Sequence, residues 1–232
     1  TNMIKTILWD IDGTILNFQS AAENSLKNTF RKFGYGKITD ELLHMYEGIN
    51  DVYWCKLEKG EITKEKLLVE RFVEFFTKIG VETTRVKEFN QAYLNGLLDT
   101  VVFMPEAYET VKKLHPQYKQ YIVTNGVKQL QRQKIAKAKI EEFFDGIFIS
   151  DEIGHEKPQI EFFDYVFDQI ETQNRDEIMI IGDSLTSDIA GGIHAGIHTC
   201  WYHPSNEENH SDIKPEFTVT SHLAFQELLK QL

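Results

Sequence analysis

The sequence predicts an α/β protein, a doubly wound and mostly parallel sheet with an α-helical domain inserted after its first strand. Three observations carry this. Apolar runs of strand length alternate with helical patterns on both flanks of the chain. Between about residues 19 and 98 no strand-like run occurs and helical patterns follow one another. Three of the apolar runs end in Asp10, Thr124 and Asp183, polar residues of the kind that meet outside the carboxyl ends of parallel strands.

The elements follow in order. Residues 5–9 form the first strand. Helical patterns at 21–33, 39–58, 63–79 and 84–98 come next, with Gly34-Tyr35-Gly36, Lys59-Gly60 and Ile79-Gly80 supplying the glycine expected where a helix stops. This predicts a bundle of about four helices over 17–98, set into a core made of 1–16 and 99–232. The core resumes with a helix at 105–115, a strand at 120–124, a helix at 127–138, a strand at 146–150, a helix at 159–170, and strands at 178–181 and 199–202. The 232 residues suffice for such a core plus an insert.

The strand ends carry the chemistry. Ile7-Leu8-Trp9-Asp10-Ile11-Asp12-Gly13-Thr14 closes a buried strand with two carboxylates two residues apart. Such a pair can hold one divalent cation and leave a carboxylate oxygen free to attack an electrophile. Tyr121-Ile122-Val123-Thr124-Asn125-Gly126 ends in a hydroxyl, an amide and a glycine before a helix, a seat for phosphate at a helix N-terminus. Lys157 precedes Pro158 at the start of another helix, where its ammonium could neutralise an anion. The run from Ile178 ends in Gly182-Asp183, with Asp188 five residues later as a further metal ligand.

Each piece alone has an ordinary reading. Asp-Ile-Asp-Gly is a good turn, Thr124-Asn125-Gly126 a cap and turn, Lys157 a solvated lysine and Asp188 a helix cap. A net charge of −11 argues against nucleic acid or an anionic membrane as partner. Cys55 and Cys200 have no metal or disulfide spacing, which makes the cytoplasm the default compartment. No apolar run reaches the roughly 18 residues that span a bilayer, and no apolar signal segment opens the chain. Thr1-Asn2 ahead of Met3 reads as an added remnant. His194, His198, His203 and His210 straddle strand, turn and loop without a ligand frame, so solvated or capping histidines are expected rather than zinc ligands.

Taken in order, strand-Asp-x-Asp-Gly-Thr, strand-Thr-Asn-Gly, Lys-Pro and strand-Gly-Asp-x4-Asp resemble the four motifs of the haloacid dehalogenase superfamily, with a helical cap placed after the first motif. The resemblance covers the whole chain. It implies a Rossmann-like core and a magnesium-dependent phosphatase, with Asp10 as nucleophile forming an aspartyl-phosphate and Asp12 as general acid, then base. It also implies Mg2+ held by Asp10, Asp183 and the backbone carbonyl of Asp12, with Asp188 either touching it through water or only orienting Lys157. Thr124 and Lys157 would hold the transferring phosphoryl group, and Gly13 and Asn125 would offer backbone N–H groups. Asp12 speaks against a dehalogenase, because displacing halide from carbon needs no acid there.

The closer resemblance is to house-cleaning pyrimidine 5'-nucleotidases, through Thr124-Asn125-Gly126-Val127, Gly182-Asp183-Ser184-Leu185-Thr186-Ser187-Asp188-Ile189-Ala190-Gly191-Gly192 and Ala195-Gly196-Ile197-His198-Thr199-Cys200-Trp201. It implies a pyrimidine nucleoside monophosphate as substrate. The alternatives are a phosphatase for a small sugar phosphate or phosphoglycolate and, in another class, a receiver-like phospho-accepting signalling or binding module. In the cap, Tyr46, Tyr53 and Trp54 fall near one helix face, and Phe18 follows the catalytic loop. Such aromatics ordinarily pack a bundle. The sharper expectation is that Trp54 or Phe18 stacks on the base.

Overall fold

The computed structural model describes residues 3–232; Thr1 and Asn2, read above as a remnant, lie outside them. Two compact units result, one of residues 3–17 and 102–232, the other of residues 18–101.

The first unit is built on a six-stranded parallel sheet of order β3-β2-β1-β4-β5-β6, comprising β1 (Thr6–Trp9), β2 (Lys119–Thr124), β3 (Gly146–Ile149), β4 (Ile178–Gly182), β5 (His198–Tyr202) and β6 (Phe217–Val219). Every residue of β1 and β4 is buried, as a parallel sheet covered on both faces requires. The strand order reverses its direction of growth between β1 and β4, and this switch point is where ligands gather in such sheets. Trp9 is in register with Ile122 of β2 and Ile181 of β4. Asp10, Thr124 and Asp183 therefore emerge side by side at one edge.

Helices α5 (Ala107–Leu114), α6 (Lys128–Ala138), α7 (Ser150–Ile153), α8 (Ile160–Gln169), α9 (Ala190–Ala195) and α10 (His222–Gln231) accompany the strands. One core layer joins Leu8, Tyr121, Val123 and Ile180 of the sheet to Phe162, Phe163 and Val166 of α8. Where the chain leaves and re-enters this unit, Asn17 N–H donates to Val102 O and Met104 N–H to Ile15 O.

The second unit consists of α1 (Phe18–Lys32), α2 (Asp40–Glu58), α3 (Lys64–Ile79) and α4 (Val86–Gly96). Thr39 and Thr63 cap α2 and α3 by accepting the N–H of Leu42 and Lys66. Its core is aromatic: Phe72, Phe76 and Phe89 meet edge to face or tilted at 4.9–6.0 Å, and Tyr46 stacks on Phe72 at 5.2 Å.

The sequence reading passed over β6, α10 and the π-type turn at Leu185–Ile189. Only three residues form β6, with Thr218 exposed, so no hydrophobic period marks it. In the turn, Asp188 and Ile189 N–H groups both donate to Ser184 O, ahead of α9. Among the described residues no helix is long and apolar enough to cross a membrane, and Cys55 and Cys200 are free.

Candidate active site

Asp10 follows β1, and its N–H donates to Ile181 O, which anchors it between β1 and β4. The loop after it is wound tightly, Thr14, Ile15 and Leu16 all donating their N–H groups to Ile11 O. Gly13 has φ 85°, and a Cβ there would collide with the Asp183 carboxylate, so glycine is required by backbone and by space. The Thr14 hydroxyl donates to Asp10 Oδ2 at 3.2 Å and lies 3.4 Å from Asp183 Oδ1.

Lys157 enters from the loop before α8. Its Nζ donates to Asp10 Oδ1 at 3.1 Å, Asp188 Oδ1 at 2.6 Å and Val123 O at 2.8 Å, with the side chain 1% exposed. Those are all the protons an ammonium has. Asp188, wholly buried in the π-type turn, is fixed from its other side by Ser184 N–H. Of the two roles expected of Asp188, orienting Lys157 is thus a direct contact.

Gly13 and Asn125 make contacts beyond those the sequence predicts. Gly13 N–H donates to Leu16 O, so its contribution is the missing Cβ rather than a free donor. The side chain of Asn125 is engaged as well: Nδ2 donates to Lys157 O at 2.9 Å and Oδ1 accepts Lys157 N–H at 2.8 Å, a two-way clamp on the backbone that carries the ammonium. The N-terminus of α6 is also partly satisfied, because Asp151 accepts Lys128 N–H and Thr124 Oγ1 accepts Gly126 N–H.

Asp12 points to α6, where its carboxylate accepts Gln131 Nε2 at 2.8 Å and Lys134 Nζ at 2.9 Å. Gln131 also donates to the buried Thr124 Oγ1 at 2.7 Å. Sequence reasoning missed Gln131 and Lys134, and only their polar character on a helix that must cover a sheet could have flagged them.

Carboxylate oxygens of Asp10, Asp183 and Asp188 lie within 4.8 Å of one another. At that spacing each ionised pair repels by about 3 kcal/mol at an effective dielectric near 20. The titration of the groups follows. Burial pushes Asp188 up to about 7, with Asp10 adding to the rise and Lys157 and Ser184 opposing it. Withdrawal from water and the charges of Asp10 and Asp188 hold Asp183 well above the usual carboxylate range; since the residue as a whole is exposed, repulsion by its neighbours is the cause we stand behind. Burial works against the charge of Lys157, yet Asp10 and Asp188 hold its pKa above the ordinary value.

This donor set fits a hard divalent cation. Magnesium takes oxygen ligands, usually one or two carboxylates completed by water and phosphate oxygens, and a double positive charge would relieve a repulsion that one ammonium only partly offsets. Asp10 and Asp183, with the Asp12 backbone carbonyl, would hold it.

The remaining candidates lie on other elements. Phe18 opens α1, and Trp54 sits half-buried on α2, its Nε1 donating to Asn50 Oδ1 at 3.1 Å. Tyr46 and Tyr53 are buried in the helical unit, the ordinary packing role. Of His194, His198, His203 and His210, His198 pairs with Glu216 at 2.7 Å, and His203 stacks on Trp201.

Comparison with known proteins agrees with this arrangement. The sequence profile of the haloacid dehalogenase-like hydrolases matches residues 7–202. The HAD-hydrolase YfnB of Bacillus subtilis is 34% identical over 215 residues, 93% of this chain and 91% of YfnB. Its crystal structure, described as bound to magnesium and revealing interdomain movement, superposes with a TM-score of 0.93 over 99% of this chain and 100% of that one. The pyrimidine 5'-nucleotidases YjjG of Escherichia coli and PynA of Streptococcus pneumoniae are 30% and 31% identical, covering 96% and 97% of this chain and 96% and 93% of their own. With its motif residues gathered at the switch point of a parallel sheet, the chain belongs to the haloacid dehalogenase-like hydrolases and is an enzyme of that family.

Proposed function

We propose that this enzyme is a magnesium-dependent phosphatase that hydrolyses pyrimidine nucleoside 5'-monophosphates through an aspartyl-phosphate. The observation that carries the phosphatase reading is the junction of Asp10, Asp183, Asp188 and Lys157 at one sheet edge. The full-length similarity to two pyrimidine 5'-nucleotidases supports the choice of substrate.

An Asp10 oxygen attacks phosphorus, and the ester P–O bond breaks with its electron pair on the leaving oxygen, which takes a proton from Asp12. Water then attacks phosphorus and gives a proton to Asp12, while the P–O bond to Asp10 breaks to return the carboxylate and free phosphate. Thr14 fixes the plane of the Asp10 carboxylate, and Lys157 balances the negative charge that gathers beside it. Bound magnesium supplies charge neutralisation between carboxylate and phosphate. Phosphate monoesters are among the slowest substrates to hydrolyse, so these effects together must lower the barrier by on the order of 20 kcal/mol.

The test is a screen of phosphate release, with magnesium, from nucleoside monophosphates, sugar phosphates and phosphoglycolate. Preference for dUMP, dTMP or their analogues is expected. A preference for sugar phosphates or phosphoglycolate would keep the chemistry and overturn the substrate, and release from none of them would overturn both.

A further inference from the structure

Two buried side chains of α6 have no part in the steps above. Gln131 is fully buried and Lys134 is 3% exposed; three residues apart, they lie on one helix face. Lysine is almost never buried without a partner. Here its Nζ donates to Asp12 Oδ1, while Gln131 Nε2 donates to Asp12 Oδ2 and to Thr124 Oγ1. Both oxygens of one carboxylate are therefore gripped from a single helix.

The orientation of the Gln131 amide is itself informative. Its Oε1 is buried without a partner, a cost that flipping the amide would ordinarily remove. Flipped, however, the carbonyl would face the Asp12 carboxylate, acceptor against acceptor. The space for this side chain also depends on Gly126, where a Cβ would collide with the Gln131 amide.

We propose that Gln131 and Lys134 are positioning residues that hold the Asp12 carboxylate in its working orientation, Gln131 also tying Asp12 to Thr124. The inference rests on the reading of Asp12 as acid and base.

The test compares kcat/KM on dUMP, whose alkoxide leaving group needs a proton, with acetyl phosphate, whose acetate leaves as the anion without one. Asp12→Asn should lose dUMP activity selectively. Gln131→Met and Lys134→Met should each lose about tenfold or more on dUMP, within the roughly 10²–10⁴-fold reach of general acid–base catalysis, and much less on acetyl phosphate. Lys134→Arg should recover most of the loss. In the Asp12→Asn background neither substitution should cost anything further on dUMP, because its target is gone. Equal losses on both substrates, or losses that add to that of Asp12→Asn, would overturn the proposal in favour of a packing role. If Lys134→Met does not fold, Gln131→Met and Lys134→Arg decide it alone. An Asp12→Asn enzyme without selectivity between the substrates would overturn the reading of Asp12 and this inference with it, whereas a selective Asp12→Asn beside unselective Gln131 and Lys134 variants would overturn only the inference.

Discussion

Lys157 donates to two of the three clustered acids, Asp10 and Asp188, and to Val123 O. Lys157→Met should therefore destabilise the fold by about 3–5 kcal/mol, the usual cost of breaking a buried pair from one side, and Lys157→Met combined with Asp188→Asn should recover part of it in urea denaturation. His222 makes a pH-dependent prediction. Burial lowers its pKa from the ordinary 6.5, the Thr14 carbonyl notwithstanding, so the folded state resists its protonation. As pH falls below 6.5 the unfolded chain takes up the proton first, and the contribution of His222 to stability, complete above 6.5, is lost on acidification. Asp183 and Asp188, whose pKa values are raised, act in the opposite sense, because their protonation favours the folded state as pH falls. The readout is therefore the difference between wild type and His222→Phe between about pH 7.5 and pH 5, which should shrink on acidification. Asp10, Asp12, Asp183 and Lys157 were readable in the sequence because each stands at a strand end or before a proline. Gln131 and Lys134 were not, since a helical glutamine and lysine ordinarily face water and only the path of α6 past Asp12 buries them.

The helical unit shows what periodicity and capping foretell. Thr39 and Thr63 mark the starts of α2 and α3 as the sequence implies. The edge strand β6 and the π-type turn before α9 escaped, because three residues carry no period and hydrogen bonding to Ser184 redirects the chain. Thr63→Ala should cost about 1 kcal/mol in thermal or urea unfolding through the lost cap, leaving the acid cluster untouched. On α2, Trp54 is half-buried and held by Asn50. Under the proposed pyrimidine substrate and stacking of Trp54 on its base, Trp54→Leu should cost roughly 1 to 3 kcal/mol of binding on dUMP or dTMP, with little change on ribose 5-phosphate; a uniform loss would leave Trp54 only its packing role.

Across the whole molecule, strands from both ends of the chain deliver the acids to one edge, so the proposed cation binding would be linked to folding. Magnesium at about 100 times its dissociation constant should add roughly 2.7 kcal/mol to stability, visible in denaturation with and without EDTA, and Asp183→Asn should lose most of that gain. The central claim is that Asp10 becomes phosphorylated in turnover. The most direct measurement is an acid quench of enzyme and substrate at steady state, borohydride reduction, and mass spectrometry of the peptide containing residues 7–14, alongside the rate of Asp10→Asn. Reductive conversion confined to Asp10, together with a variant rate below about a hundredth of wild type, is the expected result; a label on another residue, or an Asp10→Asn enzyme that keeps turning over above that level, would contradict it.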